Sequence, residues 1–258
     1  MLTNPLATSV YHEVTSHLHV IAPRHSASAM KDYTDLLLHE QVLLLGLHDE
    51  KGTANSALFS YGIAGAAVSD LLLMGRLRVE ESRRKKMLVV AKSTPTGVPL
   101  LDECLTRIGS ARRRATVSTW VGRLASMRNL NGRVAERLRQ VGLLRKEEGR
   151  FLLIFPRVTY PTVNPNPEQR LVEAMRTAIA EDGDVDPKIA IVIALTRATR
   201  ILPHVLDKEL LGARKQRLEA IGRMDTVAGA TKEAIDAAQA AMIAATTATL
   251  VATSVATS

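Results

Sequence analysis

At 258 residues, with 46% apolar side chains, the chain is long enough to bury a sizeable core and too apolar to be disordered. Lys and Arg outnumber Asp and Glu by 34 to 26, for a formal charge of +8 and a pI near 9.9, which favours polyanionic partners, nucleic acid or acidic lipid, over acidic-substrate chemistry. One cysteine, Cys104, excludes an internal disulfide framework and a thiolate metal cage, and reads as a small buried apolar residue. An aromatic content of 3% speaks against a groove that stacks single-stranded bases.

Residues 1–29 never string together the apolar core of a secretory signal, and 1–31 are expected to form a mobile arm. The four histidines there (His12, His17, His19, His25) lack metal-ligand spacing. In "TDLLLHEQVLLLGL", Thr34 is the expected N-cap, and the leucines cover too wide an arc for a surface helix, so this element is expected in the core. "LFSYGIAGAAVSDLLLMGR" predicts a second helix whose small residues permit close helix approach, with Gly75 as its stop. "RLRVEE" and "KMLVVAK" alternate as two strands of a hairpin with a basic tip, joined by Ser82 to Lys85. Helices follow in "PLLDECLTRI", in "TVSTWVGRLA" and from Asn129 to Val141, the last ended by Gly142.

"LLRKEEGRFLLIFPRV" predicts a second hairpin, with its turn at Arg145 to Arg150, and "YPTVNPNPEQ" a loop into three or four N-capped helices. The last 22 residues carry no charge, but Ala and Thr dominate them and Leu250 is their only leucine, so a frayed tail over 246–258 is expected rather than a membrane span. The fold class is therefore mainly α: a single globular helical domain with two small β-hairpins, the second following a basic helix in winged-helix style.

The sequence contains no phosphate-cradling Gly-rich loop, no paired-histidine zinc motif and no nucleophile elbow, so no catalytic residue, metal site or cofactor is assigned. "DGDVDP" spaces carboxylates like a calcium loop, but Pro187 stands where the sharp-turn Gly belongs and Ile193 where the bidentate Glu belongs. It reads as a loop and helix start.

The candidate site is the basic helix and its hairpin. On a helical projection Leu130, Val134, Leu138 and Val141 form the core stripe, Arg133 and Arg137 flank it, and Arg128 and Arg139 point elsewhere. Any one of these arginines taken singly reads first as a solvated side chain whose stem covers apolar surface. In "FLLIF" (Phe151, Leu152, Leu153, Ile154, Phe155) the alternation is lost, so both faces of that strand read as apolar and one must meet a neighbour, a partner chain or lipid. A DNA reader calls for a polar, basic wing instead, and Glu147 and Glu148 repel phosphate. A winged-helix-like nucleic-acid binder and a cytosolic protein-binding scaffold remain as other readings.

Four blocks in order, "LLLHEQVLLLGLHDEKGT", "YGIAGAAVSDLLLMGRLRVE", "STPTGVPLLDECL" with Trp120 downstream, and "RVAERLRQVGLLRKEEGRFLLIFPRVTYP", resemble the Golgi phosphoprotein 3 family over about Asp32 to Ala245, in a style similar to its bacterial branch. The resemblance implies a mostly helical peripheral membrane adaptor on the cytoplasmic side, at the Golgi if eukaryotic. It implies phosphatidylinositol 4-phosphate as the head group in a basic pocket, and a hydrophobic hairpin for membrane contact or homo-oligomer formation, with client proteins unspecified. Carried over by position, Arg128 matches the first arginine of the head-group pair, the second falls on Asn131, and Arg133 matches a further basic position. The family's Gly-Leu-Arg-Gly stretch is here Gly62-Ile63-Ala64-Gly65, and the nearest aromatic to the missing pocket Trp is Phe59. The expected lipid-facing residues are thus Arg128, Arg133 and Arg137 for the head group and Phe151 to Phe155 for the hairpin.

Overall fold

The computed structural model describes residues 32–47, 57–82, 85–151, 155–223 and 225, with 240, 243–244 and 246–247. The expected N-terminal arm and most of the C-terminal tail lie outside the described residues. Ten α-helices and two small antiparallel sheets are described, in the mainly helical class expected.

The chain enters through a 3-10 turn, Tyr33–Asp35, whose first amide is capped by Asp32 (Tyr33 N to Oδ1, 2.6 Å). Helix α1, Leu38–Gly46, is buried on every side, as its leucine arc predicts. Thr34, the expected cap, belongs to the 3-10 turn and caps nothing; the residue before α1 is Leu37, which has no capping side chain. The cap comes instead from another helix: Asp70 accepts the Leu38 and His39 amides at 2.9 and 3.2 Å. A buried helix end cannot use water, so a carboxylate from a packed neighbour does the work of a local Thr.

That neighbour is α2, Ala57–Leu73, which packs along α1 and ends at Gly75 in a left-handed conformation (φ 63°). Its small residues admit close neighbours. A Cβ at Gly62 would stand 2.6 Å from the Thr199 methyl, and one at Gly65 2.5 Å from the Ala244 Cβ.

β1, Leu77–Ser82, and β2, Lys85–Val90, pair antiparallel from Leu77 opposite Val90 to Ser82 opposite Lys85, with the expected join. The sequence predicts a bare hairpin; the structure adds a third strand, β3, Ala115–Thr116, on the free edge of β2. Two residues are too short to show a period, so no local signal announced it.

Between β2 and β3 runs α3, Pro99–Gly109. Asp102 closes its entry by accepting the Thr96 amide (2.6 Å) and hydroxyl (2.7 Å), which assigns that acid a structural task. Cys104, on the same helix, is fully buried and its thiol is pushed up to about 12 by burial, so it behaves as the apolar residue expected. Next come α4, Val117–Ala125, capped by the Thr116 hydroxyl on the Thr119 amide (3.2 Å), and α5, Leu130–Gln140.

The second hairpin differs from its expectation in register. β4, Glu147–Phe151, pairs with β5, Phe155–Thr159, so that Phe151 faces Phe155. The expected turn, Arg145 to Arg150, therefore belongs to the first arm of the ribbon, and "FLLIF" is not one strand but straddles the join at 152–154. The reason is the base: Leu144 bridges Thr162 and the Arg145 amide meets the Pro161 carbonyl at 2.9 Å, and one-for-one antiparallel pairing from there can close only at that join.

Among the described residues five helices follow, where three or four are expected to the C-terminus: α6 Asn166–Ala180, α7 Pro187–Ala198, the short α8 Leu202–Val205 and α9 Lys208–Ala213, and α10 Lys215–Arg223. Asp186 caps α7 on the Lys188 and Ile189 amides, which is the helix start read from "DGDVDP". One apolar cluster joins α1 to α7 and α10, with α1, α2 and α7 at its centre.

Candidate basic cleft and apolar ribbon

The site begins with a backbone turn. Asn129, before α5, sits in the left-handed region (φ 53°, ψ 37°), which Asn tolerates better than most residues, and its side chain lies where a Cβ on Gly132 would come within 2.3 Å of it. The stretch Asn129-Leu130-Asn131-Gly132 thus swings the chain out of α4 and lays α5 on α1 and α2, burying Leu130, Val134 and Leu138 with Val141 partly covered. The stripe falls as the periodicity predicts, and it sets Arg133 and Arg137 one turn apart on the flank.

Both arginines line a cleft of about 440 Å³ between α5, the first turn of α3 and the base of the ribbon, where Lys146 and Tyr160 close it. Arg133 Nη2 holds Glu103 Oε2 at 2.6 Å. Burial alone would raise the Glu103 carboxyl, but Arg133 and Arg107 outweigh it and hold the group below its usual value. Arg137 Nε stands 3.7 Å from Glu40 Oε1, too far for a hydrogen bond; that oxygen is buried and has no hydrogen-bond partner, while Oε2 accepts the Leu37 amide at 2.9 Å.

Arg128 is placed differently. It is exposed in the connection before α5, has no ion pair among the described residues, and does not line the cleft. The structure therefore brings two of the three expected arginines together, each facing an acid, and leaves the third free beside them.

The floor of the cleft holds residues that sequence reading passed over. His39, 1% exposed, lines it and is joined through Nδ1 to Asp70 Oδ2 at 2.6 Å. Burial lowers the affinity of His39 for a proton, but the bond to Asp70, the charge of Asp70 and that of Glu40 outweigh it, and its pKa is raised. A signal existed: polar residues at 39–41 and at 69–70 interrupt helices that are otherwise apolar all round.

The ribbon contributes the apolar part. Among the described residues β4 and β5 contact chiefly one another, and no helix is laid broadly across either. From Leu144 to Phe151 the arm is roughly 24 Å long at 3.4 Å per residue. Phe151 and Phe155 form its last register pair; Leu152, Leu153 and Ile154, which join the strands, lie outside the described residues. The two large apolar side chains found exposed among the described residues, Val158 (44%) and Val163 (57%), lie on this ribbon and just past its base. Charges on the arms are matched locally: Arg145 with Glu147 at 2.9 Å, Lys146 with Glu148.

A helical core, a basic helix and a long hairpin with an apolar end agree with a family whose model, Golgi phosphoprotein 3 (GPP34), matches residues 38–238. The chain belongs to that family. It is also similar to Vacuolar protein sorting-associated protein 74 of Schizosaccharomyces pombe (strain 972 / ATCC 24843), 27% identical over 170 residues. That match covers 57% of this chain and 50% of the relative, so the chain spans about half the length of the curated relative it matches.

Three positions that the resemblance ties to the family's head-group pocket are occupied differently here. Ala64 and Phe59 are buried in the core, at 0% and 3% exposed, and the Asn131 side chain accepts the Ser60 hydroxyl of α2 at 3.2 Å. Packed helix and a neutral hydrogen bond therefore stand at these three positions.

Proposed function

We propose that this chain is a non-enzymatic peripheral membrane adaptor of the Golgi phosphoprotein 3 kind, which docks on anionic lipid with the apolar end of its β4–β5 ribbon and with arginines around α5. The observation that carries the reading is the register of the ribbon, which assigns its Leu-Leu-Ile run to the join between two strands that no helix among the described residues covers broadly. Three such side chains entering lipid contribute roughly 1.5 to 3 kcal/mol each, and each Lys or Arg near an acidic leaflet about 1 kcal/mol. Neither contribution alone holds a protein on a membrane; together they do. No helix among the described residues is long and apolar enough to cross a membrane.

Within this reading Arg128 meets the head groups first, because no carboxylate competes for it. Arg133 and Arg137 join only by exchanging Glu103 and Glu40 for phosphate. The preference is accordingly for negative charge rather than for one phosphorylated inositol, given Ala64 and Asn131 where the family places arginines. The ribbon end is also the surface through which copies associate.

Co-sedimentation with phosphatidylcholine vesicles carrying phosphatidylserine, or phosphatidylinositol 4-phosphate at equal charge, tests this at low and high salt. Salt-sensitive pelleting of similar extent on both acidic surfaces is expected, lost in Leu152→Asp. Pelleting that ignores salt and lipid charge overturns the electrostatic half, and an unaffected Leu152→Asp protein overturns the role of the ribbon.

A further inference from the structure

We infer that the outer face of the β1–β2–β3 sheet, with the loop that feeds β3, is a second membrane contact: a broad basic surface that lies on an anionic lipid leaflet. It rests on the membrane-adaptor reading and adds a contact on a different part of the fold from α5 and the ribbon.

The register separates the two faces of the sheet. Leu77, Val79, Leu88, Val90 and Ala115 turn inward, where α3 and α4 pack on β2. The alternate positions, Arg78 and Glu80 on β1, Lys85, Met87 and Val89 on β2 and Arg114 on the way into β3, point the other way, with Val89 buried (8% exposed) and the charged residues around it. Ion pairs verify the shared face, since Arg78 Nε meets Glu80 Oε1 at 3.0 Å and Arg114 Nη1, just before β3, meets Glu80 Oε2 at 2.7 Å. One glutamate is shared by two arginines.

Charge is concentrated around this sheet, mostly in the segments that flank its strands. Residues 76–82, 85–92 and 110–114 hold eight Lys or Arg against Glu80 and Glu81, a surplus of six out of the chain's formal +8, and five of the eight (Arg76, Lys92, Arg112, Arg113 and Arg114) lie just outside the strands. The rest of the chain is close to balanced. Arg112 and Arg113 are exposed without an acid partner among the described residues, as are Lys85 and Lys92. A solvated face arising by chance has acids interspersed; a local surplus of this size repels itself and is relieved by a surface of opposite sign.

The shape selects the partner. Readers of duplex DNA insert a helix or a two-stranded ribbon into a groove. Here β2 is flanked on both edges and backed by helices, so what faces outward is three strands wide, and no aromatic residue among its described positions offers a platform for bases. A broad cationic surface matches a leaflet whose charges are mobile in two dimensions.

The test uses the full chain with Lys85, Arg112 and Arg113 all changed to Ser, none of which lies in the cleft or on the ribbon, against phosphatidylcholine vesicles with phosphatidylserine as the only acidic lipid. Each cation at the leaflet contributes roughly five-fold in partition, so about 100-fold weaker binding and a shallower salt dependence are expected, with thermal stability unchanged. Binding within two-fold of the parent overturns the inference; if Leu152→Asp abolishes pelleting in the same assay, the adaptor reading stands without it. A parent chain that pellets with no vesicle removes both. If the triple variant loses a shift on random duplex DNA while its vesicle binding is intact, the face serves nucleic acid and the inference falls.

Discussion

The two hairpins of this chain begin from similar lengths of strand and end in different roles. β1 and β2 gain β3 on one edge, lie against α3 and α4, and turn a charged face outward. β4 and β5 acquire no third strand among the described residues and lead to an apolar join. The first is part of the body of the protein and the second is an arm. Alternation makes the difference: Leu77, Val79, Leu88 and Val90 give one sheet a continuous apolar row for the core, whereas Glu147 opposite Thr159, and Gly149 after it, break any such row along the ribbon before Phe151. Backing by the core, not strand pairing, is what makes a two-stranded element rigid.

Truncation should separate the two most widely. Leu88→Ala, at 1% exposure on β2, is expected to cost about 2 to 5 kcal/mol in urea unfolding, and a cost below about 1 kcal/mol would show the sheet to be as peripheral as the ribbon.

The pair under the ribbon's base comes next. Asp70→Asn removes the charge that caps α1 and holds His39, and is expected to cost about 2 to 4 kcal/mol at pH 6. The sign with pH follows from the raised pKa of His39. Its protonated form contributes stability that is complete below the unfolded value, about 6.5, and is lost as pH rises through the elevated folded value. Unfolding curves of the parent should therefore weaken across that window while those of Asp70→Asn do not; parallel curves would break the assignment.

Smaller effects sharpen the contrast at the entrances to the two hairpins. Gly75 and Gly142, each left-handed before its hairpin (φ 63° and 82°), should cost about 1 kcal/mol when changed to Ala, since both have open space and only backbone strain opposes a side chain. Least of all, Val158→Ala on the exposed ribbon should stay within about 0.5 kcal/mol by the same urea measurement, and a larger loss would mean that the arm is packed after all.

Much of this was legible in the residues. The stripe Leu130, Val134, Leu138, the leucine arc of α1, Pro99 at the start of α3 and Gly142 after α5 each carry a local signal, because the helical period and the chemistry of helix ends act over a few residues. The site was legible only in part. Arg133 and Arg137 were found from the same period, but Glu103 and Glu40, which face them, lie 30 and 97 positions away in sequence. The join of the second hairpin was misplaced because Gly149 and its charged neighbours look like a turn, while the register is set at the base, by Leu144 with Thr162.

Period and composition by themselves determined the helical class, the order of the elements, the core faces and the surplus of positive charge, since each depends on neighbours along the chain and on averages over it. Tertiary structure alone decided that Asp70 rather than Thr34 caps α1, that Ala115 and Thr116 complete the first sheet, that Arg128 has no ion pair among the described residues while Arg133 and Arg137 meet acids, and that the basic segments flanking β1, β2 and β3 are brought together. These depend on which distant groups are brought within a few ångströms. Packing the core fixes such distances, and no local preference encodes them.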